Sequence, residues 1–324
     1  MFGKESESKA EMGSDEWNRD VINRLAFAAV DEQRRTRRWN IFFKVLLACY
    51  LLLLLILYMP TDWDKIGKLP DKHTALVDLK GVISDTSKAS ADTVIEGLRN
   101  AFEDENTKGI ILRANSPGGS PVQSGYIYKE IKRLRELHPD TPIYAVVTDV
   151  CASGCYYVAS AADDIYVDES SIIGSIGVRM DSFGFVDTME KLGVERRLYT
   201  AGKSKGFLDP FTPSKPADVE HVKLLLDSIH QQFISAVKEG RGDRLKDSEG
   251  LFTGLVWTGE EGIPMGLVDE IGSSSYVARE VIGAEDIVEF TAKPDLFERL
   301  SDRIGVAMAK GMSELFANGV GAVH

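Results

Sequence analysis

Ser153 and Lys205 are the two residues of this chain with the clearest potential for chemistry. Ser153 lies in the string CASGC (residues 151–155), between a strand-like apolar run and the start of a small-residue helix. Lys205 lies in the string AGKSKG (residues 201–206), and a glycine pair stands upstream in NSPGG (residues 115–119). A serine at a strand-to-helix turn, a glycine turn with backbone N–H groups and a lysine in a loop together indicate a serine hydrolase with a lysine base.

The residue types near Ser153 and in the rest of the chain limit the choice of base. A serine nucleophile needs a neighbouring base, usually a histidine. Here His138 stands at a predicted helix end, and His221 and His230 lie on a predicted long helix. The string around the serine is not Gly-x-Ser-x-Gly, which argues against an α/β-hydrolase. A lysine can act as the base when burial disfavours its charged form, and composition alone leaves Lys203 and Lys205 as equal candidates.

The composition limits the possible partners and cofactors. The net charge is -12 and the sequence pI is about 5.0, whereas a nucleic-acid binder carries a basic face, so we expect no nucleic-acid partner. Cys151 and Cys155 could form half of a metal site, but no cysteine or histidine stands at zinc-like spacing from them, and we expect no metal and no cofactor. We expect small buried thiols at this pair, with a disulfide as the alternative if the domain lies outside the cytoplasm.

Residues 39–59 form a long apolar stretch, interrupted by Asn40 and Lys44. About 20 residues are needed to cross a bilayer as a helix, and this stretch supplies them. A buried core helix is disfavoured because the stretch is apolar on all sides. A cleaved signal peptide is disfavoured because no small-x-small site follows. We therefore expect one uncleaved transmembrane helix that anchors the chain in the lipid bilayer.

The charges beside this stretch predict its orientation. Four arginines between residues 34 and 38, together with Lys44, crowd the N-terminal side, and the few lysines beyond the stretch are mixed with aspartates. By the positive-inside rule, the polar arm of residues 1–38 is cytoplasmic and the remainder of the chain is not. This orientation corresponds to a single-pass protein of the inner membrane with a periplasmic catalytic domain.

The remainder of the chain has the pattern of one α/β domain. Over residues 74–290, apolar strand-like runs alternate with amphipathic helical patterns, which predicts a sheet with crossover helices. Ser90 is placed to cap one of these helices, and residues 216–237 are typical of a long amphipathic helix. Residues 60–73 are interpreted as a linker, and residues 291–324 as a helical tail that packs on its own domain or contacts the membrane or a partner.

Seven strings distributed between residues 79 and 269 form a recognisable set. They are LKGVI (79–83), NSPGG (115–119), ASGCYY (152–157), IGSIGV (173–178), AGKSK (201–205), WTG (257–259) and GLVD (266–269). Through these strings the chain resembles, over about residues 75–272, the signal peptide peptidase A family, also called protease IV, with its SohB-like relatives. It departs from the family at Cys155, where the family often has glycine or alanine.

The resemblance implies a role for each candidate residue. The nucleophile of the family is the serine of Ser-Gly-x-Tyr-Tyr, which here is Ser153. The general base is the lysine of Gly-x-x-Lys, which here is Lys205, and the serine of Gly-Ser-Ile-Gly that helps to hold this lysine is Ser175. The glycine turn and the residue after the nucleophile form the oxyanion hole, which here implies Gly118 or Gly119 together with Gly154.

The resemblance also implies a fold and an assembly. The family's fold is similar to that of the Clp protease and crotonase, with repeated β-β-α units that assemble into rings. In half-length members the serine and the lysine can come from neighbouring subunits, so we expect a homo-oligomeric ring here. Family substrates are signal peptides left in the membrane after export.

These observations together predict a membrane-anchored serine endopeptidase with a Ser153/Lys205 dyad, which degrades cleaved signal peptides or other short apolar peptides at the membrane. Two alternatives stay open. A crotonase-type acyl-CoA enzyme would share the fold and the oxyanion hole, but it needs neither the Ser-Lys pair nor the anchor. A catalytically silent, membrane-anchored scaffold ring would bind other membrane proteins, and the intact dyad argues against it.

Overall fold

The computed structural model describes residues 32–54 and 72–292, together with positions 17, 24 and 27. Several sequence-based predictions fall on other residues. Most of the arm predicted for residues 1–38, the last part of the anchor (55–59), most of the linker and nearly all of the C-terminal tail lie outside the described residues. These interpretations therefore stay predictions.

Residues 32–54 belong to a compact unit that covers residues 1–68, and they are helical throughout. Their large apolar side chains are exposed, and Leu46 and Leu52 are 53% and 57% exposed. Within the described part of the chain, no helix combines the length and the apolar composition needed to cross a membrane. The anchor over residues 39–59 is thus not confirmed and stays a prediction.

The second unit, residues 69–324, contains the predicted α/β domain, and the α/β class is confirmed. Its strands join one sheet. They are β1 (His73–Lys80), β2 (Thr107–Ser116), β3 (Ile143–Ala152), β4 (Asp164–Val167), β5 (Ile172–Gly174), β6 (Val256–Thr258), β7 (Glu270–Ile271) and β8 (Ile287–Glu289).

Helices connect most of these strands. They are α1 (Ala91–Glu103), α2 (Pro121–Leu137), α3 (Gly154–Ala159), α4 (Val186–Lys191), α5 (Pro216–Arg241), α6 (Gly259–Met265) and α7 (Ser274–Tyr276), which continues as a π-helix over Val277–Ile282. Ser90 caps α1 as predicted, because its side chain accepts a hydrogen bond from Thr93 N. The predicted long helix begins at Pro216 and extends four residues beyond the expected end, to Arg241.

The sheet is almost entirely parallel, and the strand directions determine where the turns with the candidate residues lie. The main strand order is β6-β5-β3-β2-β1-β8, with β4 beside β3 and β7 beside β4. All pairs are parallel except β5–β6. Parallel neighbours end at the same edge of a sheet, so the turn after β2 and the turn after β3 meet there. Open α/β sheets bind ligands beyond such strand ends.

Helices α1 and α2 pack on the sheet through apolar stripes at helical spacing. Val94, Leu98 and Phe102 of α1 are buried, as are Ile127 and Ile131 of α2. This spacing of three and four residues puts the side chains on one helix face, which covers the buried strands. The helices thereby hold β2 and β3 in the positions from which their terminal turns project.

A buried ion pair fixes the C-terminal part of the domain to the sheet. Arg241 at the end of α5 donates two hydrogen bonds of 2.8 Å to the carboxylate of Asp269 and one of 2.8 Å to the carbonyl of Gly266. Asp269 also accepts from Ile165 N in β4. Burial would raise the pKa of Asp269, but the hydrogen bonds and charge of Arg241 outweigh it and hold the pKa below its usual range.

A long exposed arm, residues 179–215, leaves the sheet after β5 and returns at α5. Its short helix α4 has no buried residue. The first half of α5 is also exposed on its apolar stripe: Val219 is 40% and Leu225 43% exposed, whereas Phe233 near the other end is 4% exposed. The arm and this half of α5 therefore present apolar surface that the described residues of the domain leave uncovered.

Candidate active site

Ser153 occupies a constrained turn between β3 and α3. Its backbone angles are φ 54° and ψ -123°, outside the conformations that a non-glycine residue ordinarily adopts. The N–H of Ser153 donates to the carbonyl of Gly174 at 2.8 Å, and its carbonyl accepts from Tyr157 N at 3.0 Å. A costly backbone conformation held from both sides is characteristic of functional sites, and here it occurs at the end of a parallel strand.

The glycine turn after β2 lies directly against this serine turn. A Cβ atom built on Gly118, whose φ is 94°, would lie 2.8 Å from Ser153 Cβ and 2.7 Å from both Ala152 O and Gly154 N. No side chain fits in this space. The two turns predicted from separate strings of the sequence are therefore in contact.

Backbone N–H groups converge where the two turns meet. A Cβ built on Gly154 would lie 3.2 Å from Gly119 N. The N–H of Gly118 donates to Ser116 Oγ at 3.1 Å, and within the described residues the N–H of Gly119 has no acceptor. Gly154 is the first residue of α3, a position whose N–H has no partner inside the helix. Among the described residues, the N–H groups of Gly119 and Gly154 thus have no acceptor, whereas that of Gly118 is engaged.

Ser175 lies beside Ser153 on the neighbouring strand. It follows Gly174, which pairs with Ala152 in the parallel β3–β5 ladder. Its φ is 53°, its N–H donates to Leu255 O at 2.7 Å, and its side chain is half-buried. The structure therefore brings Ser153, Ser175 and the glycines into one site.

Lys205 makes no hydrogen bond to this cluster in the single chain. It lies on the exposed arm, in a turn where its N–H donates to Gly202 O at 3.1 Å, and its side chain is exposed. Among the described residues, its ammonium group makes no hydrogen bond or ion pair, and Lys203 is also exposed. A base that is neutral through burial therefore needs surroundings for Lys205 that the single chain does not provide.

A histidine base gains no support from the geometry. His230 on α5 comes near the site, but its Nε2 contacts the carbonyl of Ile176 at 3.0 Å. His221 packs edge-on against Phe207, with 5.5 Å between the ring centroids. Both rings are engaged with neighbours other than Ser153.

The two cysteines beside the nucleophile are joined by a disulfide. Cys151 is the second-last residue of strand β3, and Cys155 is the second residue of helix α3. Both cysteines are fully buried. The third cysteine, Cys49, is a free and exposed thiol. The expectation of two free thiols at this pair is therefore wrong, and the alternative, a disulfide, is what the structure contains.

The tyrosines of the Ser-Gly-x-Tyr-Tyr string anchor α3. Tyr156 is buried and donates from its hydroxyl to Leu267 O at 2.6 Å, in the turn held by the Arg241 ion pair. Burial raises the pKa of Tyr156, which keeps the phenol a donor. The ring of Tyr157 packs against Tyr128 and Phe233, with centroid distances of 5.2 and 5.0 Å. The helix that begins at Gly154 is therefore fixed by its own side chains.

Several positioning groups were missed by sequence reasoning. The carbonyl of Gly174 holds Ser153, the carbonyl of Leu255 holds Ser175, and Ser116 Oγ engages Gly118. A buried serine, Ser124, leaves no room for a side chain on residue 154, since a Cβ there would lie 2.4 Å from its Oγ. Gly174 and Ser116 carried a signal, because they belong to the Gly-Ser-Ile-Gly and Asn-Ser-Pro-Gly-Gly strings. In the described part of the chain, no group of three or more histidine, cysteine or acidic side chains is arranged to hold a metal ion.

Comparison with known proteins identifies the family of the chain. The model of peptidase family S49 matches residues 135–287. A Methanocaldococcus jannaschii protein with a protease name is 31% identical over 235 residues, which are 70% of this chain and 74% of that protein. An Enterococcus faecium protein named as a signal peptide peptidase is 31% identical over 214 residues, 63% of this chain and 61% of that protein. The chain belongs to peptidase family S49, and the resemblance drawn from its motifs is confirmed.

Another relative has a different kind of name. The Na(+)/H(+) antiporter NhaA of Brucella abortus is 46% identical over 186 residues, 57% of this chain. The chain spans only 25% of the length of that protein. The matched part is therefore a minor share of the antiporter-named chain.

Proposed function

We propose that the protein is a serine endopeptidase in which Ser153 is the nucleophile. One observation carries this proposal: Ser153 has a constrained backbone, held by Gly174 and faced by the glycine turn. Such a turn costs free energy and is retained where it presents a reacting group. Membership in family S49 supports peptide-bond hydrolysis as the reaction.

The proposed reaction begins with attack of Ser153 Oγ on the scissile carbonyl carbon. The carbonyl oxygen becomes an oxyanion, for which we propose the N–H groups of Gly119 and Gly154 as donors, because they converge and are available. Loss of one such donor typically costs about 3–4 kcal/mol of transition-state stabilisation. Collapse of this intermediate releases the amine and leaves an acyl group on Ser153, which water then removes.

We propose Lys205 as the base that takes the proton of Ser153 and returns it to the leaving amine, with Ser175 orienting it. A lysine must be neutral for this role, and desolvation favours the neutral form. Since the lysine is exposed in the single chain, the proposal requires a second copy to cover the arm and bring Lys205 to the neighbouring Ser153. The apolar side chains exposed on the arm and on α5 support such contact, and they are Met180, Phe183, Leu192, Val194, Tyr199, Leu224 and Leu225.

A closed set of such contacts would form a homo-oligomeric ring on a Clp protease- and crotonase-like fold, as the motif resemblance implies. Head-to-tail contacts between copies close into rings when the rotation permits. We propose that residues 39–59 anchor this ring in the membrane, with residues 1–38 cytoplasmic and the catalytic domain periplasmic. The charge pattern beside the segment supports this orientation.

For the substrate, we propose cleaved signal peptides or other short apolar peptides at the membrane. The name of the Enterococcus faecium relative supports this class.

The test uses the full chain, solubilised in detergent, with an apolar signal-peptide substrate. Wild type is compared with Ser153→Ala, Lys205→Ala and Lys203→Ala, and Ser153 is labelled with a fluorophosphonate. We expect Ser153→Ala and Lys205→Ala to abolish cleavage. Lys203→Ala is the matched control, since it removes an equally exposed lysine two residues away, and we expect it to retain cleavage.

Each other outcome rejects a defined part of the proposal. Cleavage by Lys205→Ala would place the base elsewhere. No cleavage and no fluorophosphonate labelling of wild type would favour the scaffold ring. Turnover of an acyl-CoA without peptide cleavage would favour the crotonase-type enzyme.

A further inference from the structure

The disulfide encloses the nucleophile. Cys151 and Cys155 are four positions apart, so the closed loop contains Ala152, Ser153 and Gly154. These three residues comprise the proposed nucleophile, one proposed oxyanion donor and the residue whose carbonyl faces Gly118. The disulfide thus encloses the residues whose positions determine whether the proposed hydrolysis can occur.

The two ends of the link belong to different rigid elements. Cys151 lies inside the sheet, paired with Ser116 of β2 on one side and with Ile173 of β5 on the other. Cys155 lies on α3, which is fixed by the hydrogen bond from Tyr156 to Leu267 O. The disulfide therefore ties the start of the helix to the centre of the sheet across the turn.

The position of the disulfide favours an effect on the geometry of the serine turn over an effect on the stability of the whole domain. The stabilisation that a disulfide obtains from loop closure grows with loop length, and this loop is very short. The turn it spans, by contrast, holds a non-glycine residue at φ 54°, a conformation that persists only when the surroundings impose it. Both sulfur-bearing residues are fully buried in the main core, which shields the link from reductants in the folded protein.

We propose that the Cys151–Cys155 disulfide is a positioning element that holds Ser153 and Gly154 in reactive geometry. This inference rests on the proposed role of Ser153 as nucleophile. The disulfide does not touch the substrate; it acts by preventing the turn from relaxing toward an ordinary conformation. Protein folded without the link keeps its sheet and helices but presents a misplaced nucleophile.

The test compares oxidised and reduced forms of the full chain in detergent. Peptide mapping under non-reducing conditions establishes the link. A dithiol applied under mild denaturation then converts it to two thiols by transferring two electrons and two protons, and the protein is refolded with the thiols kept reduced. The rate constant for fluorophosphonate labelling of Ser153, kcat and KM are measured for both forms.

Two variants complete the test. Cys151→Ala/Cys155→Ala removes the link genetically, and it must be insensitive to the dithiol. Cys49→Ser is the matched control, because it removes the exposed free thiol and leaves the link intact. We expect the labelling rate and kcat to fall at least about tenfold without the link, since a displacement of about 1 Å at reacting groups can cost about 100-fold. We expect KM to change by less than about twofold, because a positioning role leaves substrate contacts intact.

The outcomes separate this inference from the proposed function. No labelling of oxidised wild type would reject Ser153 as nucleophile, and the inference with it. Equal labelling rates and equal kcat with and without the link, in protein that still unfolds cooperatively, would overturn the inference alone. Two free thiols at residues 151 and 155 in the protein as isolated, if it is fully active, would overturn it as well, as would a change confined to KM.

Discussion

Gly118→Ala tests whether contact between the two turns sets the reactivity of Ser153. The added Cβ would lie 2.7 Å from Ala152 O and Gly154 N and 2.8 Å from Ser153 Cβ. Each separation is about 0.6–0.7 Å shorter than the 3.4 Å at which ordinary contact begins. The atoms it meets are backbone or next to backbone, so relief requires movement of the whole serine turn.

The expected effect has two parts. The φ of 94° is unfavourable for alanine, and an enforced unusual backbone conformation costs of order 1–3 kcal/mol of folding free energy. The turn must also move by most of 1 Å, and displacement on that scale can lower a rate about 100-fold. We therefore expect a folded but less stable protein with kcat reduced by one to two orders of magnitude.

The assay pairs urea unfolding with the rate constant for fluorophosphonate labelling of Ser153. Gly125→Ala is the matched control, since Gly125 lies in helix α2 and its added Cβ meets nothing within 4 Å. We expect it to keep full reactivity and to gain about 0.5–1 kcal/mol, the usual benefit of alanine over glycine in a helix. If Gly118→Ala labels as fast as wild type, the turns do not set the reactivity of Ser153, and the reasoning is refuted.

Three further predictions concern the groups behind the site. Arg241→Ala should lower the free energy of unfolding by about 3 kcal/mol, because it leaves the partly buried carboxylate of Asp269 without its main partner. Arg279→Ala, at an exposed arginine, is the control. Equal urea midpoints for the two variants would contradict the prediction. The folded-state pKa of Asp269 is lowered, so its stabilisation is present above the unfolded value of about 4 and is lost as the pH falls through the folded value. The stability gap between wild type and Arg241→Ala should then narrow below about pH 4, and a gap that widens on acidification would contradict the assigned sign. Tyr156→Phe should cost about 1–2 kcal/mol, since it leaves a buried carbonyl without its donor; Tyr126→Phe, at an exposed ring, should cost nothing measurable in the same unfolding assay.

The elements that carry the site could be predicted because their patterns are local. The apolar runs of β2 and β3, the Ser90 cap and the stripe of α5 each follow from spacing within a few residues. Convergence of the serine and glycine turns was also predictable, because both follow strands that proved to be parallel neighbours. Boundaries were less certain, and α5 exceeded its predicted end because Arg241 is held by a contact with Asp269, which is distant in the sequence.

Other features depend on contacts that no local pattern encodes. The disulfide requires β3 and α3 to bring two buried sulfur atoms together, and the sequence pattern favoured free thiols instead. The proposal of Gly119, and not Gly118, as an oxyanion donor depends on a hydrogen bond from Gly118 N to Ser116 Oγ. The exposure of Lys205 depends on where a 37-residue arm (residues 179–215) goes, which spacing within the arm does not determine.

The sequence by itself determined the family, the α/β class and the candidate nucleophile, because these follow from short strings and from periodicity that the backbone imposes on any chain. Tertiary structure decided which N–H groups are available, how Ser153 is held and where Lys205 lies. Those properties depend on distances between residues tens of positions apart. Such distances are set by packing of the sheet and its helices, which local residue order does not specify.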